Sequence, residues 1–545
     1  MGFEMKNNLD KQLFLREQEN QALRNISHAM VSKNVSNSEN ILQMILTKSV
    51  EISNADAGFI ILKNPDSPSN EKQFQQVCKV TLSQQLDIKN NFFDLKESNL
   101  FNSVVNQNCP KNWYEEGTQS IQKIENHLLS KNISDFKYNS NTYKIKSYCA
   151  YPIRKPGAEV EGVIVLINKK TTHSQILKNL IDVDNNVLHF SEYDINLLES
   201  MANQAGISLE HTHLIHELKF IFKSFTAACV TAIESRDPST KGHSERVAQL
   251  TVALAEAVNQ THSGTYSAAH FTKEEIEEIR YASLLHDFGK IGVREPVLQK
   301  EKKLYPFQVD QIKNRFELLK EKLYVHTLEN YIQKLIQQNK IPTESDLKKH
   351  KNKLQEVQNE LDHLFQIILE MNEPSLENME TLEKITKIAA TKITLGELSL
   401  PILTKQEIDI LSIPRGSLSR QERLEIESHV THSYNFLVQI PWTKEFKNLP
   451  EIVYGHHERE DGSGYPRKLI SQNIPIQAKM MAITDVFDAL VSRDRPYKKA
   501  VPMLQALNIL DHDVQKGKLD KELFRIFTSY NIGKLIIDVE EKRAS

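Results

Sequence analysis

The chain has 545 residues, of which 39% are hydrophobic and 26% are charged, and this length predicts about three to five structural units rather than one core. Its 68 Lys and Arg residues against 71 Asp and Glu leave a formal net charge of −3, which excludes an overall positive field for holding nucleic acid. The four cysteines (Cys78, Cys109, Cys149 and Cys229) are scattered without a CxxC pair. That pattern argues against a disulfide framework or a thiolate zinc site and fits a reducing compartment.

The N-terminal stretch MGFEMKNNLDKQLFLREQEN is charged throughout, unlike the apolar core of a signal peptide. No apolar run approaches the ~18 residues that a membrane-spanning helix needs. We therefore expect a cytoplasmic protein without a membrane span, which begins with a helix in residues 1–35.

The first domain is predicted to mix helices with strands. Apolar residues at helical spacing predict helices near residues 41–50 and 190–210. Short runs rich in β-formers predict strands near residues 57–62, 74–80, 148–153 and 160–167, the last two forming a hairpin.

The end of this region resembles the C-terminal half of a GAF domain. The resemblance rests on Asn168-Lys169, then FSEYD from Phe190 to Asp194, then LLESMANQAGISLEH. It covers residues 36–213 and implies an α/β sensor domain whose antiparallel sheet is flanked by helices and binds a small ligand of unknown identity. Cyclic-nucleotide-binding members carry a final Glu in this signature where the chain has Ile195, so we expect these residues to stabilise the fold.

A helical linker is predicted at residues 214–233. Apolar residues recur there at alternating spacings of four and three, as in the seam of a two-stranded coiled coil: Leu214, Leu218, Ile221, Phe225, Ala228 and Ala232. One interpretation is an amphipathic helix that packs on its own domain. The other, which we favour, is a homodimer stalk that couples the sensor to the domain that follows.

A segment dense in Lys, Glu and Gln runs from about residue 301 to residue 413. Helical stripes on both sides of Pro342 predict an antiparallel helical hairpin inserted into the second domain: Ile312, Phe316, Leu319 and Leu323, then Leu354, Val357, Leu361, Leu364, Ile368 and Met371. Such a hairpin is either an exposed structural arm or a docking arm for a partner.

Histidine and aspartate recur in five short stretches between residues 234 and 497. A carboxylate buried among apolar residues must be paired or metal-bound, because an isolated buried charge costs several kcal/mol. The candidates are His243 after Gly242, His286 and Asp287 in LLHDFGK, His429 or His432 on one predicted helix, the adjacent His456 and His457, and Asp485 or Asp488 in AITDVFDAL.

Two further residues bear on this constellation. Lys290 follows His286 at the spacing of one helical turn, where a cation can stabilise charge on phosphate oxygens. A second His-Asp pair, His512-Asp513, lies in a polar stretch that we predict to be a solvent-facing turn without function.

Imidazoles and carboxylates without thiolates suit iron, manganese or zinc. Several histidines with shared carboxylates favour a two-metal site, in which a bridging hydroxide attacks a phosphodiester without a covalent intermediate.

The motifs HDFGK, HHEREDGSGYP and ITDVFDAL, in that order, resemble an HD-GYP domain. This all-α subfamily of the HD metal-dependent phosphohydrolases degrades cyclic di-GMP. The resemblance spans about residues 225–530 apart from the insertion, and we assign the domain to residues 234–545. It implies that the metal ligands are His243, His286, Asp287, His429, His456, His457 and Asp485. It also implies that Asp287 bridges the metals, that Lys290 contacts the scissile phosphate, and that Tyr465, Arg495 and Lys498 bind substrate.

The chain departs from the HD-GYP pattern at several positions. Val430 replaces a Pro and Ser433 a common Gly, the segment around Arg495 is one residue longer than usual, and Ser239 stands where three-metal members carry Glu. We therefore expect two divalent metals, with iron as the first choice and manganese as the second.

The fold class we predict is multidomain α+β: a GAF domain, a coiled-coil linker helix and an all-α HD-GYP domain with an inserted hairpin. The predicted activity is hydrolysis of cyclic di-GMP to pGpG, and onward to GMP, under control of the GAF domain. The alternative is a catalytically weak module that binds a cyclic dinucleotide or signalling proteins. Nucleic acid is not an expected partner.

Overall fold

A computed structural model describes residues 16–27, 38–63, 74–82, 86–88, 92–93, 104, 110–114, 136–138, 145–155, 160–374, 388, 392–395, 398–492 and 500–536. The chain divides into two compact units, Met1–Phe222 and Lys223–Ser545. Each unit has its own core, and the two are described in turn. Among the described residues, every helix is too short or too polar to cross a lipid bilayer.

The first unit combines helices with an antiparallel sheet. Its helices are α1 (residues 16–27), α2 (Ser38–Ser53), α3 (Leu180–Asn186) and the start of α4 (Glu192–Arg236). Its strands are β1 (Ala55–Lys63), β2 (Phe74–Thr81), β3 (Leu86–Ile88), β4 (Phe92–Phe93), β5 (Lys111–Tyr114), β6 (Phe136–Tyr138), β7 (Ser147–Arg154), β8 (Val160–Lys170) and β9 (Val187–Leu188). The predicted helices and strands of this region are confirmed.

The sheet has the order β4-β2-β1-β8-β7-β5, with β9 beside β8. Strands β1 and β8 lie at its centre, where Ile60 pairs with Ile164. Both strands are almost wholly buried, which explains why they read as continuous apolar runs rather than as alternating ones. Residues of α2 and α4 pack against the sheet, among them Ile45 and Met201.

The GAF-like signature residues brace the fold where β8 ends. The Asn168 side chain accepts hydrogen bonds from the backbone N–H groups of Lys146 and Ser147, at 2.7 and 3.1 Å. Lys169 forms an ion pair with Asp194, whose carboxylate also accepts the Ser191 backbone N–H at 2.6 Å. These contacts tie β8 to the start of β7 and to the first turn of α4.

The long helix α4 contributes residues to both units. Four apolar residues in its middle are largely exposed: Leu214 (47%), Leu218 (66%), Ile221 (62%) and Phe225 (42%). They are four of the six residues whose spacing predicts a coiled-coil seam.

The second unit is helical except for a small two-stranded sheet. After α4 come α5 (His243–Asn259), α6 (Lys273–Leu285), α7 (Glu295–Leu298), α8 (Pro306–Gln337), α9 (Glu344–Met371), β10 (Lys392–Leu395), β11 (Leu398–Pro401), α10 (Lys405–Leu411), α11 (Arg420–Leu437), α12 (Leu449–Tyr454), α13 (Ile476–Val491), α14 (Met503–Gln515) and α15 (Lys521–Ser529). One apolar cluster joins α5 to α13, α14 and α15, with Leu254, Phe487 and Leu523 at 0% exposure. Another joins α5 to α6, α12 and α13.

The inserted segment forms a core of its own. Helices α8 and α9 run antiparallel, since Phe316 contacts Phe365 and Tyr331 stacks on His350. A separate cluster of buried apolar residues lies wholly within residues 304–411. Besides α8 and α9, the segment contains β10, β11 and α10, which local sequence patterns did not predict.

The two ends of the insertion meet. Ser417 donates its hydroxyl hydrogen to the carbonyl oxygen of Lys300 at 2.8 Å, although the two residues are 117 apart in sequence. Nearby, Leu304 donates its backbone N–H to the side chain of Asn372 at 2.6 Å. The insertion is therefore closed at its base.

One local prediction is wrong. His512 and Asp513 lie in helix α14 rather than in a turn, because Ala506 and Leu510 place a buried face on this segment and impose helical periodicity. His512 is nevertheless exposed, as expected for a residue without a role in the site.

Candidate metal centre

The predicted ligands come from five separate places in the second unit. His243 is the first residue of α5, His286 and Asp287 follow the last residue of α6, and His429 lies in α11. His456 and His457 follow the end of α12, and Asp485 lies on α13. Most of these side chains lie at helix ends, where the chain changes direction and can bring side chains of different helices together.

The structure brings these residues together in two groups. The ligand atoms of His243, His286 and Asp287 lie within 4.8 Å of one another, and so do those of His429, His456 and His457. We refer to these as the first group and the second group. Each is close enough to surround a single ion.

Two carboxylates connect the groups. Asp287 places Oδ2 3.5 Å from Nε2 of His286 and Oδ1 3.3 Å from Nε2 of His429. Asp485 places Oδ1 3.2 Å from Nε2 of His243 and Oδ2 3.9 Å from Nδ1 of His457. Each carboxylate thus has one oxygen beside each group.

Backbone carbonyls fix the orientation of three imidazoles. The Nδ1 atoms of His286, His429 and His456 each lie 2.6 Å from the carbonyl oxygen of the residue three positions earlier. A carbonyl oxygen can only accept, so Nδ1 carries the hydrogen and Nε2 presents its lone pair to the site.

These Nε2 atoms supply the test of whether a metal fits. In His286, His429 and His456 they are buried without a hydrogen-bond partner among the described residues. Buried polar nitrogens are seldom left unsatisfied. A donor set of imidazoles and carboxylates without sulfur suits a divalent iron, manganese or zinc ion, so the residues present fit such an ion.

Burial lowers the pKa of two of these imidazoles, His286 and His456. Burial, reinforced by the neighbouring imidazoles of His286 and His429, lowers the pKa of His456 to about 3. Burial likewise lowers the pKa of His286. Burial opposes ionisation of Asp287, but the nearby Lys290 outweighs it and holds the pKa of that carboxyl well below its usual range. A neutral imidazole in His286 and His456 beside an ionised Asp287 is the set of protonation states in which these three groups bind metals.

Asp488 lies behind His243 rather than among the candidate ligands. Its Oδ2 is 2.8 Å from Nδ1 of His243, on the side of the ring opposite Asp485. The pattern alone left Asp485 and Asp488 as alternatives. The structure puts both against the same imidazole, one on each nitrogen.

Lys290 lies at the edge of the first group. Its Nζ is 2.9 Å from Oδ2 of Asp287 and 3.2 Å from Oδ2 of Asp237. Asp237 was not among the candidates from sequence, since its position six residues before His243 has no motif of its own. The two carboxylates fix the position of the lysine amine beside the first group.

The loop after His457 closes another side of the site. The ring of Tyr465 packs on that of His457, with the centroids 4.8 Å apart. The buried Glu458 carboxylate accepts the backbone N–H groups of Arg467 and Leu469, at 2.7 and 2.8 Å, and so holds the loop in place.

The remaining predicted residues fall elsewhere. His432 is exposed and lies against Gly292, away from both groups. Arg495, Lys498 and the side chain of Ser239 lie outside the described residues.

Comparison with known protein families agrees with the division of the chain into two units. Residues 37–209 match the GAF domain family. Residues 240–389 match a family described as HD domain, and residues 348–523 match a second family with the same description. The first of these HD matches contains the first group, and the other contains the second group.

Curated relatives match parts of the same region. The chain is 37% identical over 118 residues to 3'3'-cGAMP-specific phosphodiesterase 1 of Vibrio cholerae. The aligned region covers 22% of this chain and 26% of that protein. It is 35% identical over 136 residues to the cyclic di-GMP phosphodiesterase response regulator RpfG of Xanthomonas campestris, covering 25% and 33%. It is 31% identical over 171 residues to a cyclic di-GMP phosphodiesterase of Thermotoga maritima, covering 27% and 42%.

The chain therefore spans less than half the length of each of these three relatives. Family models nevertheless match residues in both of its units. The protein joins a GAF domain to a domain of the HD family.

Proposed function

We propose that the chain is a metal-dependent phosphodiesterase that hydrolyses cyclic di-GMP to pGpG, with GMP as the product of a second hydrolysis. The observation that carries the proposal is the pair of carboxylates, Asp287 and Asp485, that lie between two groups of histidines. The motif HHEREDGSGYP and the names of the curated relatives support the same chemistry.

The seven proposed ligands would hold two divalent metals, iron in the first place and manganese in the second. His243 and His286 would serve one ion, and His429, His456 and His457 the other, with Asp287 and Asp485 shared. When bound, such a pair of ions supplies Lewis-acid activation of water and of phosphate oxygens.

Residues of the chain itself supply the rest of the proposed chemistry. The Lys290 amine, fixed between Asp237 and Asp287, would donate a hydrogen bond to a nonbridging oxygen of the scissile phosphate as charge builds there. Tyr465 would form a wall of the substrate pocket beside His457. Arg495 and Lys498 are proposed to bind the second phosphate or a guanine.

A second candidate function is a catalytically weak signalling module that binds a cyclic dinucleotide or partner proteins. The large insertion and the departures at Val430 and Ser433 favour it. The substrate could also be another cyclic dinucleotide, since the names of some curated relatives specify 3'3'-cGAMP.

The test combines metal analysis with turnover. Protein purified without oxygen is loaded with iron or manganese, and hydrolysis of cyclic di-GMP and 3'3'-cGAMP is followed by chromatography. Wild type is expected to release pGpG. His286→Ala should lose the metal of the first group together with activity, and Asp287→Ala should lose both metals and activity. His432→Ala is the control, because His432 lies outside both groups. Metal-replete wild type that hydrolyses neither dinucleotide would leave the signalling module as the better description.

We also propose the domain boundaries and the dimer. The GAF domain is assigned to residues 36–213, the linker helix to 214–233 and the HD-GYP domain to 234–545, with the insertion at 301–413. The exposed residues Leu214, Leu218, Ile221 and Phe225 would pair with those of a second copy in a coiled coil. Leu218→Glu should convert the dimer into a monomer, as measured by light scattering. Ile336→Glu is the control, because Ile336 on α8 is exposed to a similar extent but lies outside the linker helix.

Regulation by the GAF domain is the last part of the proposal. A sensor coupled through the linker predicts that removal of residues 1–213 changes the hydrolysis rate. Equal rates for the full chain and the truncated protein, at equal metal content, would argue against the coupling.

A further inference from the structure

The imidazole of His243 is held differently from those of His286, His429 and His456. Those three histidines donate Nδ1–H to a backbone carbonyl oxygen in their own helix or turn. Nδ1 of His243 instead lies 2.8 Å from a carboxylate oxygen of Asp488, which is 245 residues away in sequence. His243 begins its helix, so no carbonyl of a preceding turn can perform this role.

Asp488 is itself restrained. Its carboxylate is fully buried and accepts Nε–H of Arg246 on Oδ1 at 2.7 Å. A second guanidinium nitrogen, NH2, lies 3.2 Å from Oδ2 and 2.9 Å from the hydroxyl of Ser492. Because Arg246 lies one turn after His243 on α5, the same helix supplies both the imidazole and the cation that fixes its carboxylate partner.

We infer that Asp488 is a positioning residue that holds His243 as an Nε2 ligand and strengthens the metal at the first group selectively. This inference rests on the proposed function, because it concerns the same metal centre. An anionic acceptor on Nδ1–H fixes the tautomer and raises the basicity of the opposite nitrogen, which neutral carbonyls do less strongly. Among the described candidate ligands, Asp488 contacts only His243, a member of the first group, so the two metals should differ in affinity.

The geometry makes the isosteric Asn variant informative. In Asp488→Asn, the amide presents one acceptor oxygen where the carboxylate presents two, to Nε–H of Arg246 and to NH2 of Arg246 with Nδ1 of His243. Either orientation of the amide removes the negative charge opposite Nδ1. If the amide NH2 group faces Nδ1, it donates rather than accepts and favours the imidazole tautomer with hydrogen on Nε2, which has no lone pair for a metal. If the amide oxygen faces Nδ1, the acceptor is neutral and Nε2 becomes a weaker ligand.

The experiment measures metal binding rather than activity. Full-length apo-protein is titrated with Mn²⁺ against a competing chelator, and the two stepwise dissociation constants are compared. Asp488→Asn is expected to weaken one of them by about 10–100-fold and to leave the other within about threefold. Because this change keeps size and burial, a residue that only packs would leave both constants unchanged, and that result overturns the inference.

Two further variants separate positioning from stability. Asp520→Asn is the matched control: Asp520 is also a buried aspartate of this unit, at 8% exposure, but it caps α15 and does not contact a histidine of the centre. Equal losses in both variants overturn the inference. If Asp488→Asn does not fold, Arg246→Lys replaces it. Loss of the Nε bond should weaken the same metal by at least about threefold, and an unchanged constant overturns the inference.

Failure of this inference is distinguishable from failure of the proposed function. Wild type that binds two metals unequally but hydrolyses no cyclic dinucleotide contradicts the phosphodiesterase and supports the role of Asp488. Wild type and Asp488→Asn with the same two constants contradict the role of Asp488, whatever the rate of hydrolysis.

Discussion

The Ser433 hydroxyl accepts a hydrogen bond from the backbone N–H of Gly289 at 2.7 Å. It also donates to the carbonyl oxygen of His286 at 2.8 Å. A single buried side chain of α11 thus satisfies two backbone groups on either side of Asp287, and it joins the segment of the first group to the helix that carries His429.

Replacing Ser433 with Ala should lower the free energy of unfolding by about 1–3 kcal/mol, because two buried backbone groups lose their partner. Urea unfolding of the metal-free protein measures this. Ser428→Ala is the control on the same helix, since the Ser428 hydroxyl donates only to the carbonyl oxygen of Glu425 in its own turn. Equal losses of unfolding free energy in the two variants would show that the hydrogen bonds of Ser433 to Gly289 and His286 do not stabilise the fold.

Gly289 allows the close packing that the Ser433 bridge requires. A Cβ atom at this position would lie 1.9 Å from the carbonyl oxygen of His429 and 2.4 Å from the backbone nitrogen of Ser433. Gly289→Ala must therefore separate the turn from α11, at a cost of about 3 kcal/mol or more. We expect a lower melting temperature together with loss of bound metal.

Gly292→Ala is the comparison for Gly289→Ala. Its Cβ would meet only the ring of His432, at 3.0 Å, and this exposed side chain can rotate away. A melting temperature close to that of wild type is expected. If Gly289→Ala were tolerated equally well, the packing of the turn against α11 would be looser than the structure shows.

Removing one histidine from each group should separate the two metal sites. His243→Ala leaves the second group intact, and His457→Ala leaves the first intact. Each variant is expected to keep about one metal per chain in elemental analysis, whereas Asp287→Ala, which lies between the groups, should lose both. His512→Ala is the control on the exposed face of α14. Two metals retained in His243→Ala would exclude His243 from the ligand set.

The pH dependence of stability should have a contribution from Glu422, which joins the base of the insertion to α11. Both carboxylate oxygens lie 2.8 Å from Nζ of Lys300, and Tyr305 donates its hydroxyl hydrogen to Oε1 at 2.6 Å. Burial alone would raise the pKa of Glu422, but these hydrogen bonds outweigh it and lower the pKa from 4.5 to about 2.

A carboxyl with a depressed folded-state pKa stabilises the protein above its unfolded-state pKa, and this contribution is lost as the pH falls toward the folded-state value. Glu422→Gln should therefore be about 2 kcal/mol less stable than wild type at pH 7. The difference should shrink between pH 4.5 and about 2. Urea unfolding at several pH values measures it. Glu373→Gln, in an exposed pair with Lys302, should change stability by at most about 0.5 kcal/mol at any pH.

Local sequence patterns predicted the elements of the first unit because apolar residues recur at helical spacing in α2 and form a continuous run in β1. They also located the stretches that carry His243, His286 and His429. The prediction for His512 and Asp513 was wrong because the apolar residues at helical spacing, Leu510 and Val514 among them, pack on the core and impose a helix despite the polar residues between them.

Pairings between distant residues could not be predicted from local patterns. Asp485 and Asp488 are three residues apart on one helix face, and only the position of His243 shows which nitrogen each one meets. The ion pair of Lys290 with Asp237 and the bridge from Ser433 to Gly289 likewise depend on how helix ends meet. Periodicity within one helix carries no information about such contacts.

The contact between Ser417 and Lys300 has a consequence for how the second unit tolerates change. Since the ends of the insertion touch, its length is independent of the separation between the histidines on either side. Doubling the length of such a loop adds only about 0.6 kcal/mol of closure entropy. Segments could thus be gained, lost or exchanged beyond this point while the two halves of the metal centre keep their positions.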